Sequence, residues 1–298
     1  MNIQNVTVAG SGVLGYQIAC QCALHGFKVT VYDINDEVLE KAKAKFTGLA
    51  EAYKRDLNKT DQDIEATFNN LTYQSNLAEA VKDADLVIEA VPENPEIKID
   101  FYTKLRQVAP EKTIFATNSS TMLPSQFAQY TGRPENFLAL HFANNIWTSN
   151  TAEIMGHDGT DKAIFDQIVQ FSKDIGMIAL PLYKEQPGYI LNTLLVPFVS
   201  SAMELYAKEV ADPQTIDKTW MKATGSPIGP FGILDIVGPN TAYNITMISV
   251  QQTQDPLAIK VAELLKTQLI DQGKLGVQTG QGFYSYPNPA YLEDDFLS

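Results

Sequence analysis

Apolar positions along the chain change their rhythm after about residue 182. Before that point, short runs of alternating or consecutive apolar residues trade places with longer stretches of helical spacing. Residues 3–9 alternate and then run apolar, as a buried strand does, and residues 29–32 form a second such run. Residues 36–69 read as two helices rich in Ala, Lys and Glu, and 71–73 as a short strand. A strongly apolar strand follows at 85–90, then helical spacing over 95–109 and a strand at 113–117. Strands at 137–142 and 151–155, a helix over 161–174 and a last strand at 177–181 complete the series. This alternation predicts an α/β architecture with a doubly wound, mostly parallel sheet.

From Pro187 only helical patterns remain. Residues 188–207 read as a long apolar helix kinked at Pro197. Asp212 is placed to cap a helix that has Pro213 at its first position, and further helices are expected over 239–253 and 257–272. The break near Lys184-Glu185-Gln186-Pro187-Gly188 divides the chain into a first domain, residues 1–185, and a smaller all-helical domain, residues 186–298. Residues 186–203 carry no charge. Gln186, Pro187, Asn192, Pro197, Ser200 and Ser201 interrupt them, so a buried helix is expected and no membrane span. So apolar a helix is also a candidate homodimer surface for the helical domain.

The net charge of −13 removes nucleic acid as a partner and disfavours anionic membranes; an anionic substrate would need a local basic patch. Cys20 and Cys22 point to different faces of one helix. They read as small buried apolar residues, with no disulfide and no cysteine metal site. No secretory signal is visible ahead of the first strand, so a cytoplasmic location is expected.

The first strand runs into Val8-Ala9-Gly10-Ser11-Gly12-Val13-Leu14-Gly15, and the second delivers Asp33 eighteen residues after Gly15. Gly10 permits a tight turn, Gly12 lets a pyrophosphate approach the backbone, and Gly15 lets the next helix pack close to the sheet. The helix N-terminus, with the Val13 and Leu14 amides, offers N–H groups and a positive dipole end to the phosphates. A carboxylate at Asp33 accepts both ribose hydroxyls and repels a 2′-phosphate, which selects NAD over NADP. The sheet is thus expected to be Rossmann-type.

Oxidising an alcohol with NAD requires a base for the hydroxyl proton. Of three histidines, His25 ends the first helix and His157 lies in a polar turn, both structural positions. His141 ends an apolar strand, where open sheets place ligands, and reads either as a base or as a packed core residue. Glu153, twelve residues on in the next apolar strand, is costly there unless paired; the alternative is a Glu on an exposed strand face. Thr117-Asn118-Ser119-Ser120-Thr121 follows another strand, where its polar groups can meet substrate and nicotinamide or simply cap a turn. Asn192 is an amide on an apolar helix, facing substrate or a structural network.

Together these residues resemble the L-3-hydroxyacyl-CoA dehydrogenase family, which includes 3-hydroxybutyryl-CoA dehydrogenases. The likeness runs through the glycine turn and Asp33 to Ala84-Asp85-Leu86-Val87-Ile88-Glu89-Ala90-Val91-Pro92-Glu93-Asn94 with Lys98. It continues in Asn118-Ser119-Ser120, Leu140-His141-Phe142 and Pro187-Gly188-Tyr189-Ile190-Leu191-Asn192. It closes in Pro227-Ile228-Gly229-Pro230-Phe231-Gly232-Ile233-Leu234-Asp235 and Thr279-Gly280-Gln281-Gly282-Phe283-Tyr284. The resemblance implies His141 as base, Glu153 as its orienting partner, and Ser120 and Asn192 on the substrate oxygen. It implies Glu93, Lys98, Asn118 and Asn144 near NAD, a substrate cleft walled by the helical domain, and a place in fatty acid metabolism.

The sequence departs from the family at three places. The run His141-Phe142-Ala143-Asn144-Asn145-Ile146-Trp147 stands where the family has His-Phe-Phe-Asn-Pro-Val-Pro. Thr193 replaces an Arg after Asn192, and Val277-Gln278 replaces a lysine. Lys41, Lys43, Lys45, Lys54 and Arg55 could meet CoA phosphates or form a solvated mixed-charge helix with Glu40, Glu51 and Asp56. The leading expectation is therefore an NAD-dependent 3-hydroxyacyl-CoA dehydrogenase for short chains. The second is a dehydrogenase of a free 3-hydroxy acid such as gulonate or carnitine. The third, a non-catalytic NAD-binding protein, sits poorly with Ser120, His141, Glu153 and Asn192 all present.

Overall fold

The computed structural model of the chain describes residues 3–298. It forms two compact units, the first ending at Ile190 and the second spanning Leu191–Ser298. The first unit is built on eight strands: β1 Asn5–Ala9, β2 Lys28–Tyr32, β3 Leu71–Gln74, β4 Leu86–Glu89, β5 Ile114–Thr117, β6 Phe137–Phe142, β7 Thr151–Met155 and β8 Ile178–Leu182. They form one sheet in the order β3-β2-β1-β4-β5-β6-β7-β8. All neighbours run parallel except β6 and β7, which pair antiparallel. The first six follow the dinucleotide-binding order, with its switch point between β1 and β4.

Alternate residues feed two cores, one on each face of the sheet. Val6, Val8, Leu86, Ile88, Ile114, Ala116, Leu138 and Leu140 pack with α1 (Gly15–Leu24), α2 (Asp36–Leu57) and α6 (Lys162–Asp174). Ala9, Val87, Phe115 and Phe137 pack with α4 (Leu77–Val81) and α5 (Pro95–Val108) on the other face. This two-faced burial explains the near-continuous apolar runs. Glu89, Thr117 and His141 continue the second series at the C-terminal ends of β4, β5 and β6, so chemistry-bearing groups replace apolar ones where the strands leave the core.

Local signals set most helix ends. Asn35 caps α2 by accepting from the Val38 N–H, and Asn94 caps α5 ahead of Pro95. Thr60 and Asp63 form a capping box on α3 (Asp61–Phe68). The short helix α4 has no counterpart in the sequence reading; five residues are too few for periodicity, though Asn76 caps it. Cys20 and Cys22 are buried and unpaired, and burial pushes the Cys20 thiol up to about 12.

The second unit holds most of α7 (Tyr189–Ala207), then α8 (Pro213–Thr224), α9 (Pro230–Val237), α10 (Pro239–Thr253) and α11 (Pro256–Leu264). α11 runs on into a π turn at Leu265–Leu269 and a short 3-10 turn at Ile270–Gln272. Asp212 caps α8 as its position predicts. α9 overlaps the motif at 227–235, and its eight residues are too few for apolar periodicity to mark a helix. Gly229 precedes it with no capping side chain, and the cap comes instead from Asp217 on α8, which accepts from the Phe231 and Gly232 N–H groups. The expectation of a buried α7 is corrected. Only 17% of its most apolar window is buried, and Leu191, Leu194 and Leu205 are exposed, because the described residues leave that face uncovered. By length and composition alone α7 could cross a membrane, and it runs unbroken through Pro197.

Candidate active site

The glycine turn joins β1 to α1 at the switch point. Gly10 has φ +101°, and a Cβ there would meet the Ala90 carbonyl oxygen at 2.4 Å, at the end of β4. A Cβ on Gly15 would lie 1.8 Å from the Gly10 carbonyl oxygen. Gly12 has open space on its Cβ side, which a phosphate can fill. No side chain caps α1, and no acid lies in its first turn. Val13 is exposed and Leu14 half-buried at this end. Asp33, just past β2, accepts from the Ser11 N–H at 2.8 Å and its hydroxyl at 2.6 Å. The carboxylate is thereby aimed across the turn, and these features fit a dinucleotide.

Strand register builds the proton-handling pair. His141 on β6 and Glu153 on β7 are direct antiparallel partners, so their side chains leave the same face. The Nδ1 of His141 lies 3.0 Å from a Glu153 oxygen, and its Nε2 lies 3.2 Å from the Ser120 hydroxyl. Both His141 and Glu153 are buried, at 5% and 3% exposure. The other Glu153 oxygen accepts from the Ile190 N–H at 2.8 Å. With Nδ1–H donating to the carboxylate, the lone pair is on Nε2 and points toward Ser120.

A second network stands behind Ser120. Glu89 is fully buried and accepts from the Lys98 ammonium at 2.6 Å, the Tyr102 hydroxyl at 3.0 Å and the Thr117 hydroxyl at 2.8 Å. Lys98, at 1% exposure, also lies 3.2 Å from Glu93. Glu93 accepts from the Ser119 hydroxyl, the Ser120 N–H at 3.1 Å and the Thr121 hydroxyl at 2.9 Å. Burial alone would raise the Glu93 carboxyl, but the bonds from Ser119 and Thr121 and the Lys98 charge outweigh it and hold the group below the ordinary range. Glu93 is therefore an ionised clamp on the segment that carries Ser120.

Asn118 accepts from the Phe142 N–H at 3.1 Å and ties the end of β5 to β6. Asn144 accepts from Gln17 at 2.8 Å, and Gln17 also takes the Ile146 N–H, so the loop after β6 is fastened to α1. Trp147 donates to Asp56 on α2 at 2.9 Å. Asn192 is half-buried on α7 and belongs to the second unit. Val277 and Gln278 sit exposed in a 3-10 turn. His25 contacts the Gln21 carbonyl one turn back in its own helix, and His157 contacts the sequence-distant Pro134 carbonyl.

Glu89 and Tyr189 lie inside the family motifs but have no role assigned by them, and Gln17 lies in none of those motifs. Glu89 gave a signal: a carboxylate closing the apolar run Leu86-Val87-Ile88, with a lysine nine residues on. Gln17 and Tyr189 gave none, since an amide in a helix and an aromatic before an apolar run read as ordinary packing. On α2 and nearby, Lys41 pairs with Glu37, Lys43 with Glu40, Lys54 with Glu51 and Asp61, and Arg55 with Asp56. Lys45 instead reaches the Ser11 carbonyl at 3.2 Å.

A dinucleotide turn at the switch point and a carboxylate-backed imidazole at the strand ends define a nicotinamide-dependent oxidoreductase. Comparison with known proteins narrows that class. Residues 5–186 match the 3-hydroxyacyl-CoA dehydrogenase NAD binding domain, and residues 188–286 match the C-terminal domain of the same family. The human mitochondrial hydroxyacyl-coenzyme A dehydrogenase is 32% identical over 95% of this chain and 91% of its own length. Among solved structures, a diketoreductase acting on dicarbonyl compounds is 53% identical with a TM-score of 0.91, covering 96% of this chain and 100% of that one. The (S)-3-hydroxybutyryl-CoA dehydrogenase of Ralstonia eutropha is 26% identical with a TM-score of 0.82, covering 96% and 100%. The chain belongs to the 3-hydroxyacyl-CoA dehydrogenase family.

Proposed function

We propose that this protein exchanges a hydride between C3 of a short-chain 3-hydroxyacyl-CoA and NAD, with His141 as general base. The observation that carries the reading is the buried His141–Glu153 pair with Nε2 facing Ser120. NAD, when bound, supplies the hydride acceptor for oxidation and the donor for the reverse reduction. The proton is the protein's task. The Nε2 atom takes the C3 hydroxyl proton, and the Glu153 carboxylate stabilises the imidazolium that results. Ser120 marks the place of the substrate oxygen and hydrogen-bonds it, while Glu93, itself gripped by Lys98, fixes Ser120. Asn192 is proposed as a further donor to that oxygen on the family pattern. Gly10, Gly12, Val13, Leu14 and Gly15 are assigned to the pyrophosphate, Asp33 to the ribose, and Glu93, Asn118 and Asn144 to the rest of the cofactor crevice. The role belongs to fatty acid metabolism. We also propose a homodimer in which a second copy covers the apolar face of α7.

A second reading has a specific observation in its favour. The diketoreductase named above is 53% identical to this chain, against 32% and 26% for the two acyl-CoA dehydrogenases named with it. The α2 cations that could meet CoA phosphates are largely paired with carboxylates. Both readings share one chemistry, reduction of a ketone placed β to a second carbonyl, since acetoacetyl-CoA is itself a 1,3-dicarbonyl. Turnover with NADH of acetoacetyl-CoA against CoA-free 1,3-dicarbonyls and 3-oxo acids separates them. The first reading expects kcat/KM at least about tenfold higher for the thioester, the equivalent of about 1.4 kcal/mol from binding the CoA portion. The reverse order favours the second reading, and no turnover of either contradicts both.

A further inference from the structure

We propose that Tyr189 is a positioning residue for His141, holding the imidazole flat against its own ring and favouring the imidazolium form. The proposal rests on the reading of His141 as the base. The two rings stack with centroids 4.4 Å apart and planes 17° from parallel. Tyr189 is fully buried and has φ +57°, directly after Gly188 at φ +78°. A bulky residue in the left-handed region persists only where its surroundings over-determine it. They do so here. The Tyr189 hydroxyl donates to the Ser119 carbonyl at 2.7 Å, and its N–H donates to the Gln186 carbonyl at 3.0 Å. The next N–H, of Ile190, donates to Glu153 at 2.8 Å. One tight turn thus addresses the base, the carboxylate behind it and the segment leading into Ser120.

The face of an aromatic ring is the negative side of its quadrupole, so a cation lying on it is stabilised, and more strongly out of water. Proton uptake by His141 places such a cation on the Tyr189 face. The charged groups around the stack are Glu153 on β7, Glu89 at the end of β4, Glu93 in the loop beyond it and Glu185 ahead of the turn; Lys98 on α5 pairs with Glu89 and Glu93. Burial first, and then these carboxylates, push the Tyr189 phenol well above its ordinary value, so its hydroxyl remains a donor to Ser119.

The test is kcat/KM against pH, in the oxidation direction, for wild type, Tyr189→Phe and Tyr189→pentafluorophenylalanine. Both variants lose the hydroxyl bond to Ser119, so Tyr189→Phe is the reference. Fluorination then reverses the charge of the ring face while nearly keeping its shape, and urea unfolding checks that both variants are folded. Tyr189→Phe should leave the acidic limb in place. The fluorinated ring should move that limb about one pH unit lower, because the imidazolium loses its support. Coincident limbs for the two variants overturn the proposal. His141→Ala is measured beside them. If it is silent while the limbs coincide, only the role of Tyr189 falls; if it turns over like wild type, the base reading falls with it.

Discussion

At the residue scale, the site is a set of carboxylates held by donors, two of them, Glu89 and Glu153, buried. Glu153 is the plainest. With the carboxylate gone, Glu153→Gln should lose stabilisation of the imidazolium and shift the acidic limb of kcat/KM to lower pH by about one unit or more. The pH–rate profile checks this, and an unmoved limb contradicts the pairing. Lys98 is the counterpart in the network behind Ser120. Lys98→Met would leave Glu89 buried without its cation and should cost the first unit about 3 kcal/mol. Urea unfolding followed by Trp147 in a Trp220→Phe background measures it; a loss below about 1 kcal/mol would make the ion pair incidental. Asp33 and His141 were legible in the sequence because they stand where apolar strands end, and Glu153 because a carboxylate inside an apolar strand is costly unless paired. Tyr189 was not legible, because its role lies in a left-handed turn and a ring contact that only the folded chain displays.

At the element scale, local patterning set the strands and most helices, and tertiary partners set the remainder. α9 shows the difference. Gly229 gives its N-terminus no cap, and the missing acceptor arrives from Asp217 on α8, which also takes the Tyr284 hydroxyl at 2.8 Å. Asp235 does the same for the chain's closing loop, accepting from the Phe283 and Tyr284 N–H groups. A Cβ on Gly282 would lie 2.0 Å from that carboxylate, which explains the glycine in the closing motif. Asp217→Ala should destabilise the second unit by about 3 kcal/mol, since it orphans two amides and a phenol. Trp220 fluorescence in a Trp147→Phe background reports the loss, and a change under about 1 kcal/mol contradicts the role. Burial raises both Asp217 and Asp235 above the ordinary aspartate range. The folded unit therefore binds more protons than the unfolded chain just above about pH 4, and in that window its stability from these two groups rises as pH falls.

At the scale of the whole molecule, composition and charge do not choose a substrate. The net charge of −13 speaks against nucleic acid, yet the paired α2 lysines show why counting cations could not decide for or against CoA. The same holds for α7, whose apolar sequence suits a core helix, a membrane span and a subunit interface alike. Its exposed face makes the interface the proposal, and light scattering at micromolar concentration should return twice the 32.9 kDa chain mass. A stable monomer would end that proposal. The central claim, that one imidazole accepts the substrate proton, is tested most directly by turnover of His141→Ala with NAD and its best substrate. The account predicts a fall in kcat of at least about 100-fold with the glycine turn still binding NAD. Turnover close to wild type would contradict it.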